Sequence, residues 1–113
     1  MNMQLSIKDL TIITITFNDT SNLLTTYNSL ENFRKFGGRH VILNGGNPIN
    51  EGIKQTLICD VIEEKDNGIY DALNKGIENT STELFMFIHA GDTLTCDIHT
   101  LIEQINLFET KEL

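Results

Sequence analysis

The sequence predicts an α/β fold in which helices cover both faces of a mainly parallel sheet. Residues 10–17 (LTIITITF) are rich in β-branched side chains and nearly apolar on both strand faces, as is typical of a strand buried on both sides. Three further strand-like segments alternate with helical patterns, which favours right-handed βαβ units. Polar or glycine-rich residues follow each predicted strand. We therefore expect one three-layer domain over residues 1–113, with a ligand site at the carboxyl ends of its strands.

The first predicted helix spans about residues 20–36. Residues 18–21 (NDTS) are of types that cap helix amino ends, and apolar side chains then recur at helical spacing, at Leu23, Tyr27, Leu30 and Phe33. Glycines 37 and 38 end this helix, because glycine reaches the left-handed conformation that closes many helices. Residues 40–44 then form a short buried strand, and the weak pattern of residues 47–55 leaves room for one helical turn.

The second half of the chain repeats the strand and helix alternation. Residues 58–63 and 84–89 are predicted strands, and the second of them is strongly apolar. Between them, a helix carries an apolar stripe formed by Ile69, Ala72, Leu73, Gly76 and Ile77. Glycine within that stripe indicates close packing against a strand. A last helix is marked by Ile98, Leu101, Ile102, Ile105 and Phe108.

Composition excludes several classes of partner. The 113 residues include 16 acidic and 8 basic side chains, giving a net charge of -8 and a pI near 4.6, so general binding to nucleic acid or anionic lipid is disfavoured. A phosphate ligand would need its negative charge compensated locally, by a cation or by backbone N–H groups. Cys59 and Cys96 lack the spacing of a zinc or redox site, which indicates a reducing compartment. With no leader-like segment and no apolar run of about 18 residues, we expect a cytoplasmic protein.

Asp92 is the strongest metal candidate, because it follows a buried strand next to glycine. Magnesium or manganese normally completes its coordination shell with substrate phosphate oxygens and water, so one carboxylate is a workable start. The competing interpretation is that Asp92 only forms a turn or caps the last helix. His89 is a second candidate ligand and suits manganese better than magnesium, although such a histidine more commonly bonds a neighbouring loop.

Two other segments carry polar residues that packing alone does not require. The first is KDNGIYDALNKG, residues 65–76, in which Asp66 and Asn67 act either at a ligand or as a turn and helix cap. Asn74 lies mid-helix, where a functional or tertiary hydrogen bond explains it better. The second is Asn44 with the two glycines after it, which exposes backbone N–H groups toward a ligand or forms an ordinary turn.

The succession TIITITFN, VILNGG, EEKDNGIYDALNKGI and FMFIHAGDTL resembles the donor-binding half of a family 2 glycosyltransferase with the A-type fold. It is most similar to the bacterial subgroup that builds cell-surface polysaccharide. The resemblance covers roughly residues 10–95, and residues 65–76 are its most specific part. It implies a Rossmann-like sheet of order 3-2-1-4 and inverting transfer of a sugar from a nucleotide-diphosphate donor to a saccharide or lipid-linked acceptor. The enzyme would work in the cytoplasm, peripherally at the inner face of the membrane.

The same resemblance assigns residues to the donor site. Its base pocket falls on Thr16, Phe17 and Asn18, and the family's strand-2 aspartate falls on Asn44, which can still accept and also donate hydrogen bonds. The metal motif for Mn2+ or Mg2+ falls on residues 89–92, where Asp92 keeps the carboxylate and His89 stands at the first position. The remaining nucleotide-sugar contacts are expected at Gly45, Lys65, Asp66, Gly68, Asp71 and Asn74.

Length is the main departure from the family. Members continue through an acceptor-binding half that supplies a catalytic carboxylate, whereas only 21 residues follow Asp92 here, and Glu103 and Glu109 match no family motif. No catalytic residue is therefore assigned. Three hypotheses stay open: an incomplete glycosyltransferase, a non-catalytic nucleotide- or partner-binding remnant, and a structural remnant. We also expect apolar surface that an acceptor half would cover to favour homo-oligomers.

Overall fold

The computed structural model describes residues 4–65 and 67–112, and four parallel strands form its centre. In chain order these strands are β1 (Leu10–Thr16), β2 (Arg39–Asn44), β3 (Asp60–Glu63) and β4 (Leu84–His89). Their order across the sheet is β3-β2-β1-β4, and every neighbouring pair is parallel. The predicted α/β class and the strand order 3-2-1-4 are therefore confirmed.

Helices alternate with these strands as the sequence predicts. They are α1 (Thr20–Ser29), α2 (Glu31–Lys35), α3 (Glu51–Lys54), α4 (Ile69–Glu78) and α5 (Ile98–Glu112). A 3₁₀ turn, Ile7–Asp9, precedes β1, and α3 is the single helical turn for which residues 47–55 left room. Within the described ranges, no helix has the length and apolar character needed to cross a membrane.

Alternate side chains of β1 enter two different cores. Ile12 packs in a cluster with Phe33 of α2 and Ile102 of α5. Ile13 points to the opposite face, where it packs in a cluster with Ala72 of α4. Successive residues of a strand point to opposite faces of its sheet, so these two clusters lie on its two sides. Helices cover both faces, as predicted.

The prediction of one helix over residues 20–36 is wrong. The chain forms α1 and α2 instead, and Leu30 between them has φ −101° and ψ 13°. The Ser29 hydroxyl donates to the Thr26 carbonyl at 2.7 Å, a local bond of the kind that competes with regular helix. Gly37, with φ 96°, follows the end of α2, as the glycine pattern predicts.

The third strand begins at Asp60, two residues later than predicted. Ile58 is 81% exposed, and its N–H donates to the Tyr27 hydroxyl at 2.8 Å instead of entering the sheet. A side-chain hydroxyl on α1 therefore delays the start of β3. The sequence pattern around Ile58 does not reveal this later start, because the hydrogen-bond partner, Tyr27, is 31 residues away in the chain.

The apolar stripe of α4 is buried only in its middle. Ala72 and Gly76 are buried, whereas Ile69 is 45% and Ile77 is 47% exposed. A Cβ atom added to Gly76 would lie 2.9 Å from the ring of Phe87, so glycine permits the close approach to the sheet that the sequence predicts. The two ends of the stripe remain in contact with solvent.

Candidate functional site

A cleft of about 530 Å³ opens at the carboxyl ends of β1 and β4, beside the start of α4. Five apolar side chains contribute to its lining, Phe17 and Ile69 among them, and the other lining residues are Thr16, Asp19, Gly68 and His89. No lysine or arginine among the described residues lines this cleft. A bound diphosphate would therefore depend on a cation or on backbone N–H groups for charge compensation.

The residues that end β1 form one wall of the cleft. Thr16 is only 4% exposed, and its hydroxyl has no hydrogen-bond partner within the described residues. Phe17 is 61% exposed and presents an apolar surface. Asn18 has a positive φ of 53°, and its Oδ1 accepts from the N–H of Asn47 at 2.6 Å. The Asn18 side chain thus joins this wall to the loop after β2.

Asn44 ends β2 with its side chain fully engaged as a donor. It is 2% exposed, and its Nδ2 donates to the Asn47 carbonyl and to Glu63 Oε2, both at 2.8 Å. Its Oδ1 accepts from the N–H of Gly46 at 3.1 Å. The next residue, Gly45, donates its N–H to the Thr16 carbonyl at 3.1 Å. Whether Asn44 or Gly45 contacts a nucleotide stays a prediction.

Glu63, the last residue of β3, connects the loop to α3. Its Oε2 also accepts from the N–H of Ile49 at 2.8 Å, and its Oε1 accepts from Lys54 Nζ at 2.6 Å. The Lys54 hydrogen bond first, and then the Ile49 N–H, hold the pKa of the Glu63 carboxyl below its ordinary value. This carboxylate is consequently ionised at neutral pH and accepts from three donors, which are Asn44 Nδ2, the Ile49 N–H and Lys54 Nζ.

The start of α4 forms the opposite side of the cleft. Gly68 precedes the helix with φ 113°, a conformation that favours glycine. Asp71 accepts from the N–H of Asn67 at 2.9 Å and lies 3.2 Å from Lys75 Nζ. The Asn67 hydrogen bond, followed by the one from Lys75, lowers the pKa of the Asp71 carboxyl. Asp71 is thus held at the first turn of α4 as an ionised group.

The other predicted residues of this segment differ in their surroundings. The Lys65 carbonyl accepts from Lys75 Nζ at 2.8 Å. The Asn74 side chain is exposed and makes no hydrogen bond to another described residue, so the tertiary hydrogen bond considered for it is not present there. Asp66 lies outside the described residues. Nucleotide-sugar contacts by these residues, Gly68 and Asp71 stay predictions.

The loop after β4 has a fixed backbone and open side chains. Thr26 of α1 is fully buried, and its hydroxyl donates to the Asp92 carbonyl at 2.7 Å and accepts from the N–H of Gly91 at 2.8 Å. The side chains of His89 and Asp92 are exposed, and His89 lines the cleft. In the described ranges, no three His, Cys, Asp or Glu residues cluster as a metal site. One imidazole and one carboxylate fit only a site that substrate oxygens and water complete.

Two residues of this region were not assigned to the site from the sequence. Asp19 lines the cleft, and its carboxylate accepts from Asn22 Nδ2 at 2.7 Å at the start of α1. Its position directly after β1 was the available signal. Glu63 was also missed, because its role depends on contacts with Asn44 and Ile49 that sequence spacing does not reveal.

The fold matches part of a known enzyme structure. The mannosyltransferase PcManGT from Pyrobaculum calidifontis, solved in complex with GDP-Man and Mn2+, aligns with a TM-score of 0.66 at 15% sequence identity. The alignment covers 87% of this chain and 31% of that enzyme. The sheet and its order are therefore those of a segment of an A-type glycosyltransferase fold.

Sequence similarity points to the same class. The uncharacterized glycosyltransferases Rv1514c and MT1564, from Mycobacterium tuberculosis strains H37Rv and CDC 1551, are each 33% identical to the chain over 88 residues. The match covers 72% of this chain and 33% of each relative, so the chain spans about a third of their length. No protein-family model matches. The chain is similar to a segment of glycosyltransferases, and its assignment to family 2 stays a prediction.

Proposed function

We propose that the chain is the nucleotide-sugar-binding part of a family 2 glycosyltransferase. The observation that carries the proposal is the position of the cleft. It lies at the carboxyl ends of β1 and β4, where the strand order 3-2-1-4 changes direction. In open parallel sheets, ligands bind at such a switch point. The similarity to glycosyltransferases supplies the class of ligand.

The proposed ligand is a nucleoside diphosphate sugar, and GDP-Man is the first donor to test because PcManGT was solved with it. The exposed ring of Phe17 offers a stacking surface for a base or sugar. Across the cleft, Gly68 and Ile69 bring the positive end of α4 toward the space for the diphosphate. These two sides match a ligand with one flat ring and one anionic group.

We further propose that Asp92 and His89 hold Mn2+ or Mg2+ together with diphosphate oxygens and water. Such a cation would neutralise charge on the departing diphosphate. Asp92 supplies the anionic oxygen that either ion prefers, and His89 favours manganese. The Thr26 hydroxyl keeps the loop backbone in place while both side chains remain accessible.

The whole protein would transfer the sugar with inversion to a saccharide or lipid-linked acceptor in cell-surface polysaccharide synthesis, at the inner face of the membrane. The 113 residues alone should bind donor with little or no transfer, since none of them is assigned as the base. Robust turnover by a monomeric preparation would contradict this expectation. It would direct the search for a base to Asp66, Asp71 and Asp92.

Calorimetry with GDP-Man, GDP and UDP, each with and without Mn2+, tests donor binding. We expect metal to tighten binding of the preferred nucleotide about tenfold or more, equivalent to about 1.4 kcal/mol. Asp92→Asn should remove this enhancement. Asp97→Asn, which neutralises a nearby exposed carboxylate, should retain it. Absence of binding to all three ligands would reject the proposed function, whereas equal affinity with and without metal would reject only the metal site.

A further inference from the structure

We infer that Asn44 and Glu63 form a clamp that positions the loop after β2, residues 45–49, and through it the Phe17 wall of the cleft. This inference rests on the proposed nucleotide-binding function. It gives Asn44 a positioning role in place of direct recognition of a base. Glu63, to which the sequence analysis assigns no role at the site, becomes its necessary partner.

The hydrogen bonds of Asn44 leave no donor for a ligand. An amide side chain has two N–H hydrogens, and here Nδ2 donates at 2.8 Å to both the Asn47 carbonyl and Glu63 Oε2. The side chain is also 2% exposed. Asn44 therefore faces the protein interior, and its contribution to a ligand passes through the loop that it holds.

Glu63 explains why an amide suits position 44. Its Oε2 accepts from Asn44 and from the N–H of Ile49 at 2.8 Å, so one carboxylate fixes both ends of the loop. An aspartate at position 44 would put a second carboxylate beside the first, and like charges at this distance repel. The pair therefore requires one amide and one carboxylate.

The loop is connected to the cleft by a short chain of contacts. The Asn47 N–H donates to Asn18 Oδ1 at 2.6 Å, and a Cβ added to Gly46 would collide with the same Asn18 oxygen. Asn18 directly follows Phe17, which lines the cleft and is 61% exposed. Displacement of the loop should consequently move the Phe17 ring.

The decisive variants are Asn44→Asp, Glu63→Gln and the double variant, which restores one amide and one carboxylate in exchanged positions. Asp60→Asn is the matched control, because it neutralises a carboxylate at the opposite end of β3. Without ligand, Asn44→Asp should accelerate hydrogen exchange of the Asn47 amide about tenfold and shift the Phe17 ring resonances. Glu63→Gln should do so more weakly, and the double variant should recover part of the change.

Affinities for GDP and UDP then separate positioning from base recognition. Asn44→Asp should weaken both by a similar factor, about tenfold, and the double variant should regain part of each. A changed ratio of GDP to UDP affinity would overturn the inference, because it would show that residue 44 reads the base. Unchanged Asn47 exchange and Phe17 resonances in both single variants would also overturn it. If wild type binds neither nucleotide, the proposed function fails, and the exchange and resonance data still decide the clamp.

Discussion

The carboxyl ends of β2 and β4 both carry polar residues, yet they use them differently. At the end of β2, Asn44 is buried and its amide hydrogens bond the protein itself. At the end of β4, His89 and Asp92 keep exposed side chains, while Thr26 holds only the backbone of their loop. Polar residues after parallel strands thus divide into those that build the rim of a site and those that are available to a ligand.

The position of each strand accounts for this difference. β2 lies between β1 and β3, so Glu63 at the end of β3 lies beside Asn44 and accepts a hydrogen bond from it. β4 has β1 as its neighbour on one side and lies at the edge of the described sheet. Fewer protein groups surround the end of an edge strand, so the side chains there remain exposed to solvent. The following predictions test this contrast, beginning with the largest expected effect.

Asn44→Ala should destabilise the fold by about 2–4 kcal/mol, because it leaves the Asn47 carbonyl and the Glu63 carboxylate each short of a donor. Asn74→Ala, at an exposed helical position without a described partner, should change stability by no more than about 0.5 kcal/mol. Urea denaturation of both variants measures the contrast. Equal losses of stability in the two variants would contradict the distinction between residues that build the rim of the site and residues that are available to a ligand.

Acidification should weaken the interior around β2. His40 is 3% exposed, and burial first and the Arg34 charge second lower its pKa from 6.5 to about 4. Arg34 can only donate, so Nδ1 of the neutral ring accepts at 3.1 Å and Nε2 donates to Thr14 Oγ1 at 2.8 Å.

The unfolded chain binds the His40 proton more readily than the folded chain, so stability is complete above pH 6.5 and falls as pH decreases toward 4. Between pH 7.5 and 5 we expect a loss of about 2 kcal/mol, measured by urea denaturation. His40→Gln should have lower stability at pH 7.5 and a flatter dependence on pH. A wild-type stability that is constant over this interval would contradict the prediction.

Thr26→Val tests the backbone anchor of the β4 loop. The substitution keeps the shape of a buried side chain but removes the hydroxyl that bonds Asp92 and Gly91, which should cost about 1–2 kcal/mol. It should also reduce metal-enhanced nucleotide binding by loosening the loop. Thr25→Val, at the neighbouring exposed position, is the control and should leave both properties near wild type. If metal still enhances nucleotide binding fully in Thr26→Val, the Thr26 hydrogen bonds are not needed for the proposed metal site.

Phe85→Lys tests the open edge at β4 and should have the smallest effect on stability, within about 1 kcal/mol. Phe85 is 43% exposed, with its ring 5.7 Å from that of Phe87 on the same strand. We expect wild type to self-associate through this edge at high concentration and the charged variant to do so less. Phe36→Lys, at a 52% exposed position after α2, is the control in sedimentation measurements. Identical association of all three proteins would place any interface elsewhere.

Sequence patterns located the strands well and the helix boundaries less well. The apolar run in β4 predicted residues 84–89, which are its bounds in the structure. The pattern around Leu30 did not reveal the break between α1 and α2, since the hydrophobic spacing continues through it. The delayed start of β3 depends on the Tyr27 hydroxyl, a distant partner. The strand order came from family resemblance, because alternation by itself is compatible with several orders.

The sequence by itself determined the α/β class, the positions of the strands and the set of polar residues that follow them, because local periodicity and turn chemistry carry that information. Only the tertiary structure decided which members of the set are available to a ligand. Asn44 and Asp92 are both polar residues next to glycine, but convergence of β2 and β3 supplies Asn44 with Glu63 as a partner. Burial and hydrogen bonding depend on residues distant in the chain, so the division between rim and ligand site emerges only on folding.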